Sequence, residues 1–320
     1  MPIIFVMPTP TSPVGGIKVM YQNCETLIKY GFMSEIIHTD NLLGQCDWLS
    51  YEVVFRRELS IYPQDDLVII PEGVTSHFAK TCLEIGVSYC IYVQNGYLAY
   101  NDEAQSSRAE LEFYYKKAEK ILSISEDTTK TIKYLHPDLS SDKILRLFPK
   151  INSKLFYAQK NRKKKIITLM LRKLPLHAYI LLYFLKHKLP QDWGIIEIDG
   201  KTEVEVAEIL RESSIFLSLS DLEGFGLPPL EAAFCGNLVV GYTGQGGNEY
   251  FNEPIFRKVE NGNFLDFSKK IIGAIEEVEN GIYETTEYIN HLKGLQKKYS
   301  EEAYEEALID FAKKAKNNFI

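Results

Sequence analysis

Short apolar runs alternate with longer segments of helical periodicity along most of the chain. In the N-terminal half this pattern predicts strands at Ile3–Met7, Ser34–His38, Tyr51–Phe55, Asp66–Pro71, Val87–Val93, Ile121–Ser125 and Lys143–Phe148. The segments between them predict helices at Ile17–Tyr30, His77–Gly86, Glu103–Lys120 and Glu126–Leu135. Strands that alternate with helices indicate a largely parallel sheet covered by helices.

The same alternation resumes in the C-terminal half. Strands are predicted at Ile166–Met170, Gly194–Ile198, Ile215–Leu219, Asn237–Tyr242 and Ile255–Val259. Helices are predicted at Pro175–Lys188, Thr202–Ser213, Pro228–Phe234, Asn263–Asn280, Thr285–Tyr299 and Ser300–Asn318, and Thr202 with Glu205 forms a capping-box pattern. The basic run from Lys160 to Lys165 predicts a solvated linker. We therefore expect two Rossmann-like α/β domains, over residues 1–155 and 156–299, with a helical tail over 300–320.

Composition narrows the class of protein. A net charge of -7 argues against nucleic acid as the main partner. The five cysteines are scattered, which favours reduced thiols in a cytosolic protein, and the six histidines lack metal-ligand spacing. Residues 1–8 predict a strand rather than a signal peptide, and no apolar run reaches the length of a membrane span. The sequence predicts a protein without a metal site.

The stretch from Glu223 onward combines features of a ligand site. It follows an apolar strand and places glycines at Gly224 and Gly226, before Pro228 and Pro229 open a short helix. We expect this turn to expose backbone N–H groups, with Glu223 and Glu231 on either side. Such a helix start binds phosphates and sugars. Taken singly, Glu223 is as consistent with a solvated turn residue as with a ligand contact. Glu231 is as consistent with an acid that stabilises a helix start as with a ligand contact.

Other candidates fall at the predicted carboxyl ends of strands, where α/β sheets bind ligands. Gly15-Gly16 follows the first strand, and Arg172-Lys173 follows the strand Ile166–Met170. Glu72-Gly73 and Gln94-Asn95 occupy equivalent places, and His77 lies near one of these ends. A tight turn is the simpler interpretation of Gly15-Gly16, and a polar helix-start residue that of His77.

The ten residues Glu223–Ala232 (EGFGLPPLEA) resemble the signature of the retaining nucleotide-sugar glycosyltransferases of family GT4, the glycosyltransferase group 1 proteins. Gly246-Gly247-Asn248-Glu249 resembles the GGxxE loop of that family. Arg172-Lys173 and Gly15-Gly16 resemble its phosphate-binding pair and its N-terminal glycine loop. The resemblance implies a GT-B architecture: two Rossmann-like domains facing a central cleft, with the C-terminal helix crossing back to the N-terminal domain.

The resemblance also implies a role for each matching residue. Glu231 would bind the donor ribose, and Glu223 with Gly224, Phe225, Gly226 and Leu227 would hold the transferred sugar. Arg172 and Lys173 would neutralise the leaving diphosphate, and Gly15, Gly16, Gly246, Gly247 and Glu249 would complete the donor site. His77, Gln94 and Asn95 are the acceptor-side candidates. Arg172 and Lys173 are adjacent, whereas many relatives separate the pair by several positions, which puts the role of Lys173 in question.

The implied function is transfer of a sugar, with retention, from a nucleoside-diphosphate sugar to a glycan or lipid-linked acceptor. The setting would be bacterial surface polysaccharide or glycoconjugate synthesis in the cytoplasm. No cofactor or metal is expected beyond the sugar donor. Peripheral membrane contact, the oligomeric state, the base, the sugar and the acceptor are left open.

Three alternatives remain. A GT-B nucleotide-sugar epimerase and a non-catalytic subunit that binds a glycan or a protein would share the pattern. A dinucleotide-dependent oxidoreductase fits poorly, because Glu249 stands where the third fingerprint glycine belongs.

Overall fold

The computed structural model describes residues 1–9, 14–39, 44–45, 49–56, 61–63, 65–98, 107–159 and 163–317. They form two compact units. Unit 1 comprises Met1–Lys150 and Glu302–Ile320, and unit 2 comprises Ile151–Glu301. The chain therefore passes between units at 150/151 and 301/302, where the sequence predicts boundaries at 155/156 and 299/300.

Unit 1 alternates strands and helices. Its strands are β1 (Ile3–Met7), β2 (Ser34–His38), β3 (Leu67–Pro71), β4 (Ser88–Val93), β5 (Ile121–Ser123) and β6 (Ile144–Arg146). Its helices are α1 (Gly15–Lys29), α2 (Thr75–Ile85), α3 (Arg108–Lys117) and α4 (Glu126–Leu135). Short 3-10 turns occupy Glu72–Val74 and Ser141–Lys143.

Unit 2 repeats the alternation. Its strands are β7 (Ile166–Leu169), β8 (Gly194–Glu197), β9 (Ile215–Ser218), β10 (Leu238–Gly241) and β11 (Phe256–Lys258). Its helices are α5 (Pro175–Leu185), α6 (Glu203–Glu212), α7 (Leu227–Phe234), α8 (Phe264–Glu279) and α9 (Thr286–Lys298), with 3-10 turns at Gly246–Glu249 and Ile282–Glu284. Helix α10 (Glu301–Asn317) follows and lies almost wholly in unit 1.

Both sheets are parallel, as the alternation predicts. The strand order is β2-β1-β3-β4-β5-β6 in unit 1 and β11-β10-β9-β7-β8 in unit 2. All residues of β1 and β9 are buried, which is why these strands are apolar runs rather than alternating ones. The order reverses between β1 and β3 and between β7 and β9, and ligands bind beyond the strand ends at such switch points.

Several predicted elements differ from the structure. Tyr51–Phe55 is not a strand: Phe55 forms one isolated bridge with Ile36, and its ring stacks on His38 at the sheet edge. Helix α1 begins at Gly15 rather than Ile17, so both glycines lie in its first turn. The predicted helix Glu103–Lys120 is present as α3, capped by Ser107 and Glu110. Its first residues, 103–106, lie outside the described residues.

The described part of the basic run belongs to unit 2 rather than linking the units; Lys164 and Lys165 are exposed as predicted, and Lys163 is not. Lys163 donates to the carbonyl oxygens of Leu210 (3.2 Å) and Ser213, and burial lowers its pKa to about 7. Lys164 pairs with Glu212 at 2.6 Å. These contacts anchor the run to unit 2, because an acidic side chain and two accepting carbonyl oxygens lie beside it. Residues 160–162 lie outside the described residues.

Gly241, the last residue of β10, tests how tightly this sheet is packed. Its φ is 140°, and an added Cβ would lie 2.1 Å from the carbonyl oxygen of Ser218. We expect Gly241→Ala to lower the free energy of unfolding by about 3 kcal/mol. Gly273, inside α8, has no atom within 4 Å of an added Cβ, so Gly273→Ala should raise stability by about 0.5–1 kcal/mol. Urea denaturation measures both changes, and equal effects would contradict this packing.

Candidate functional site

Two predicted loops of unit 2 lie at its switch point. Arg172 and Lys173 follow β7, and Glu223 follows β9, which pairs directly with β7 through Leu217 and Leu169. The topology therefore brings both cations and the carboxylate to one sheet edge.

The turn that contains Glu223 is held by the turn that follows β10. Glu223 and Gln245 form an isolated parallel bridge. The N–H of Glu223 donates to the oxygen of Gly244 (3.1 Å), and the N–H of Gly246 donates to the oxygen of Glu223 (3.0 Å). A Cβ on Gly246 would lie 2.0 Å from the oxygen of Gly224. The two backbones approach so closely that only glycine fits at 246.

An aromatic cluster packs beneath the same turn. The ring of Phe225 lies 5.6 Å from that of Tyr250 and 5.5 Å from that of Tyr299. The Tyr250 hydroxyl donates to the carbonyl oxygens of Phe225 (3.1 Å) and Gly226. Burial raises the pKa of Tyr250 well above its usual range, so the hydroxyl keeps the proton that it donates.

The expectation of an exposed turn is wrong for its central residues. Gly224, Phe225 and Gly226 are buried, and Leu227 is half-buried. The cause is the aromatic cluster, since Tyr250 and Tyr299 cover Phe225, and Tyr250 donates to the carbonyl oxygens of Phe225 and Gly226. Gly226 has φ 84°, and a Cβ there would lie 2.9 Å from the Tyr250 hydroxyl. The turn is a rigid, closely packed element.

Glu231 is carried by helix α7. The helix starts at Leu227 with Gly226 as its cap, so Glu231 lies in the second turn rather than in the predicted first turn. The side chain is 6% exposed. A carboxylate is costly to bury unless it is hydrogen-bonded, so this position is unusual for a solvent-facing helix acid. The interpretation of Glu231 as an ordinary helix-start residue is therefore unsupported.

Lys173 reaches the Glu223 turn directly. Its Nζ forms an ion pair with Oε1 of Glu223. Arg172 and Lys173 are exposed, and Glu223 is partly buried. An ion pair in contact with water contributes about 0–1 kcal/mol, so an incoming anion can replace the carboxylate at little cost. The structure thus places Lys173 at the turn.

Glu249 ends the 3-10 turn Gly246–Glu249. Its Oε1 accepts a hydrogen bond of 2.8 Å from the hydroxyl of Tyr299, which is fully buried. Sequence reasoning missed Tyr250 and Tyr299, because isolated tyrosines far along the chain carry no motif. Gly246 and Gly247, followed by Glu249, were the sequence signal for the turn that follows β10.

Unit 1 has its own cluster at the carboxyl ends of β1, β3 and β4. The Gln94 Nε2 donates to the oxygen of Gly16 (3.0 Å), and a Cβ on Gly16 would lie 2.2 Å from the Gln94 Oε1. The Asn95 Oδ1 accepts from the N–H of Tyr97 (3.1 Å). The predicted residues Gly16, Gln94 and Asn95 therefore meet at one edge.

Glu72 connects these strand ends; the sequence placed it at this edge but assigned it no role. Its carboxylate accepts from the N–H groups of Gln94 (3.1 Å) and Asn95 (2.8 Å). Burial raises its pKa from 4.5 to about 7, although both N–H groups oppose the shift. The available signal was an acid placed immediately after the buried strand β3.

His77 and Gly15 stand apart from this cluster. His77 is exposed on α2, and its ring packs edge-on against Phe78 at 5.0 Å. Glu72, rather than His77, contacts the end of β4. Gly15 is exposed as the first residue of α1. The roles of both stay predictions.

Three further features concern only the part of the chain that the structure describes. Within it, Cys24, Cys82, Cys90 and Cys235 are free and buried, and Cys46 lies outside it. No three His, Cys, Asp or Glu side chains there are grouped to hold a metal ion. None of the helices in these ranges is long and apolar enough to cross a membrane.

The raised pKa of Glu72 predicts a pH-dependent stability. The folded protein binds more protons than the unfolded chain between the two pKa values, 4.5 and about 7. The free energy of unfolding should therefore fall as the pH rises through this window. Glu72→Gln cannot ionise and should lack this component. Urea titrations of both proteins at several pH values measure it, and parallel pH profiles would contradict the assignment.

Part of the chain matches a known protein family. Residues 196–306 match the family model described as glycosyl transferases group 1. An alpha-1,6-glucosyltransferase of Actinobacillus pleuropneumoniae serotype 7 is 31% identical over 106 residues, which span 32% of this chain and 31% of that protein. The chain thus matches about a third of this curated relative.

Solved structures resemble nearly the whole chain. Anabaena HepE in complex with UDP and glucose superposes with a TM-score of 0.73 at 11% identity, covering 98% of this chain and 100% of that one. Sucrose-phosphate synthase from Thermosynechococcus elongatus gives 0.72 at 13% identity, with 99% of both chains covered. The two units therefore have the GT-B fold, and residues 196–306 match the glycosyl transferases group 1 family model.

Proposed function

We propose that this chain is a retaining glycosyltransferase of family GT4 that moves a sugar from a nucleoside-diphosphate sugar to a glycan or lipid-linked acceptor. The observation that carries the proposal is the Glu223 turn. It is fixed by backbone hydrogen bonds to the next turn, and it lies at the unit 2 switch point beside the cation pair. The group 1 domain covers the same turn.

The cations suit the chemistry of the leaving group. When the anomeric C–O bond breaks, the electron pair of that bond passes to the diphosphate. Arg172 and Lys173 would stabilise this charge more in the transition state than in the ground state. They would serve here in place of a divalent metal. The acceptor oxygen would bond to the same face of the sugar, and its proton would pass to the departing phosphate.

The Lys173–Glu223 ion pair indicates an order of events when the donor binds. A diphosphate would attract Lys173 and release the Glu223 carboxylate. That carboxylate could then accept hydrogen bonds from sugar hydroxyls. Because the pair is in contact with water, the exchange costs little. Glu231, held on α7, would bind the ribose.

Contacts to the acceptor would come from unit 1. Gln94 and Asn95 are the candidates best supported, because Glu72 accepts from the backbone N–H of both and the Gly16 carbonyl accepts from the Gln94 side chain. His77 is the weaker candidate. A cytoplasmic setting in bacterial surface polysaccharide or glycoconjugate synthesis would supply both a nucleotide sugar and a glycan acceptor.

A donor screen tests the proposal. A panel of nucleoside-diphosphate sugars is added while thermal unfolding is followed. A ligand at 100 times its Kd should add about 2.7 kcal/mol of stability, and so raise the melting temperature. Protection by NAD(P) alone would contradict the proposal. Transfer to an added acceptor with retained anomeric configuration separates a glycosyltransferase from an epimerase or a non-catalytic subunit.

Two substitutions separate an effect on donor affinity from an effect on kcat. Glu231→Ala should weaken donor affinity by about 100-fold, because it removes hydrogen bonds to a charged group. Arg172→Ala should lower kcat by about 100- to 1,000-fold with a smaller effect on affinity. Calorimetry and initial rates measure the two effects. Glu208→Ala, an exposed acid on α6, is the control for charge loss. Unchanged affinity in Glu231→Ala would remove its ribose role.

A further inference from the structure

Helix α5 exposes a continuous set of apolar side chains. Leu176, Tyr179, Tyr183 and Phe184 are 67%, 58%, 74% and 39% exposed, and we name them the α5 stripe. Leu176, Tyr179 and Tyr183 recur at intervals of three and four residues, so they lie along one side of the helix. Phe184 adjoins them. The inner side of the helix buries Ala178, Leu181 and Leu185.

This exposure could not be read from the sequence. Helix α5 is apolar on every side, and such a helix is ordinarily buried all round. On its packed side the helix contacts α8, where the ring of Phe264 lies 6.4 Å from that of Phe184. A large apolar surface on a single element marks an interaction site, unlike apolar residues that are scattered singly.

The charged residues near the α5 stripe indicate which class of partner it contacts. The segment Leu171–Pro190 contains Arg172, Lys173, Lys186 and Lys188 and no Asp or Glu, although the chain carries a net charge of -7. Lys186 and Lys188 are exposed directly after the helix. The α5 stripe is therefore an apolar, aromatic surface with exposed lysines beside it, on a protein of negative net charge.

A second copy of the chain does not complement this surface. If two α5 helices packed antiparallel, Lys186 and Lys188 of one would meet Arg172 and Lys173 of the other. If they packed parallel, lysine would meet lysine. Like charges face each other in both cases, which disfavours association.

An anionic bilayer complements both parts of the surface. Tyrosine combines an apolar ring with a polar hydroxyl and is enriched at membrane–water interfaces. Lysines beside such a helix are attracted to anionic headgroups. The helix of 11 residues would lie along the surface over about 16 Å, with its side chains at headgroup depth.

We propose that the α5 stripe binds an anionic lipid surface, with the four apolar side chains among the headgroups and Lys186 and Lys188 against their phosphates. This surface belongs to unit 2, and the six side chains that it uses are different from those placed at the Glu223 turn. The proposal rests on exposed side chains and charge and does not require the transfer reaction.

The test is flotation of the full chain with vesicles of phosphatidylcholine, alone or mixed with phosphatidylglycerol. The protein should bind the mixed vesicles, and added salt should weaken binding. Lys186→Gln with Lys188→Gln should lower partitioning by about 25-fold, which is about fivefold per lysine. Tyr179→Ser with Tyr183→Ser should lower binding to the mixed vesicles at every salt concentration.

Helix α4 supplies matched controls. Tyr134 is 86% exposed, and Lys130 and Lys133 are exposed nearby. Tyr134→Ser, and Lys130→Gln with Lys133→Gln, should leave partitioning unchanged. Protection by a nucleotide sugar, measured without vesicles, reports separately on the donor site. If the tyrosine variant fails to fold, the lysine variant still decides the question.

Three results would overturn the proposal. The first is no binding of the wild-type chain to the mixed vesicles. The second is a loss of binding in the α4 controls as large as that in the α5 variants. The third is a dimer, detected by light scattering, that the tyrosine variant abolishes, which would make the α5 stripe an interface between copies.

Discussion

The close approach of two backbone turns is the constraint on which the unit 2 site depends. Strands β9 and β10 end, but their hydrogen bonding continues through Glu223, Gly244 and Gly246. The approach leaves no room for a side chain at Gly246. Because the backbone of Glu223 is fixed in this way, its carboxylate stands at a defined place beside Lys173. A site held by backbone contacts is pre-organised before any ligand arrives.

The two units use the acids at their strand ends in different ways. In unit 1, Glu72 is buried and accepts two backbone N–H groups, so it shapes the end of β4. In unit 2, Glu223 is paired with an exposed lysine and can exchange that partner for a ligand. Glu72 is suited to positioning the backbone after β4, and Glu223 is suited to binding a ligand. Both lie at switch points, because parallel sheets present their strand ends there.

The sequence predicted most of the fold and the place of the loops that carry Arg172 and Glu223, but not the burial of the Glu223 turn. Periodicity located the strands because parallel strands are buried on both faces, and the glycine pattern located the Glu223 turn. Periodicity failed at Tyr51–Phe55, where one bridge to β2 forms instead of a ladder. The burial of the turn depends on Tyr250 and Tyr299, whose contacts are long-range and carry no local signal. The exposure of α5 was equally hidden, since an apolar helix shows no periodicity that separates inside from outside.

The central claim is that the donor binds at the strand ends of unit 2. Hydrogen–deuterium exchange with and without a protecting nucleotide sugar tests it most directly. Exchange should slow in the turn that contains Glu223 and Gly224, in helix α7, and in the loop at Arg172. Slowed exchange confined to the strand ends of unit 1, with these segments unchanged, would contradict the account.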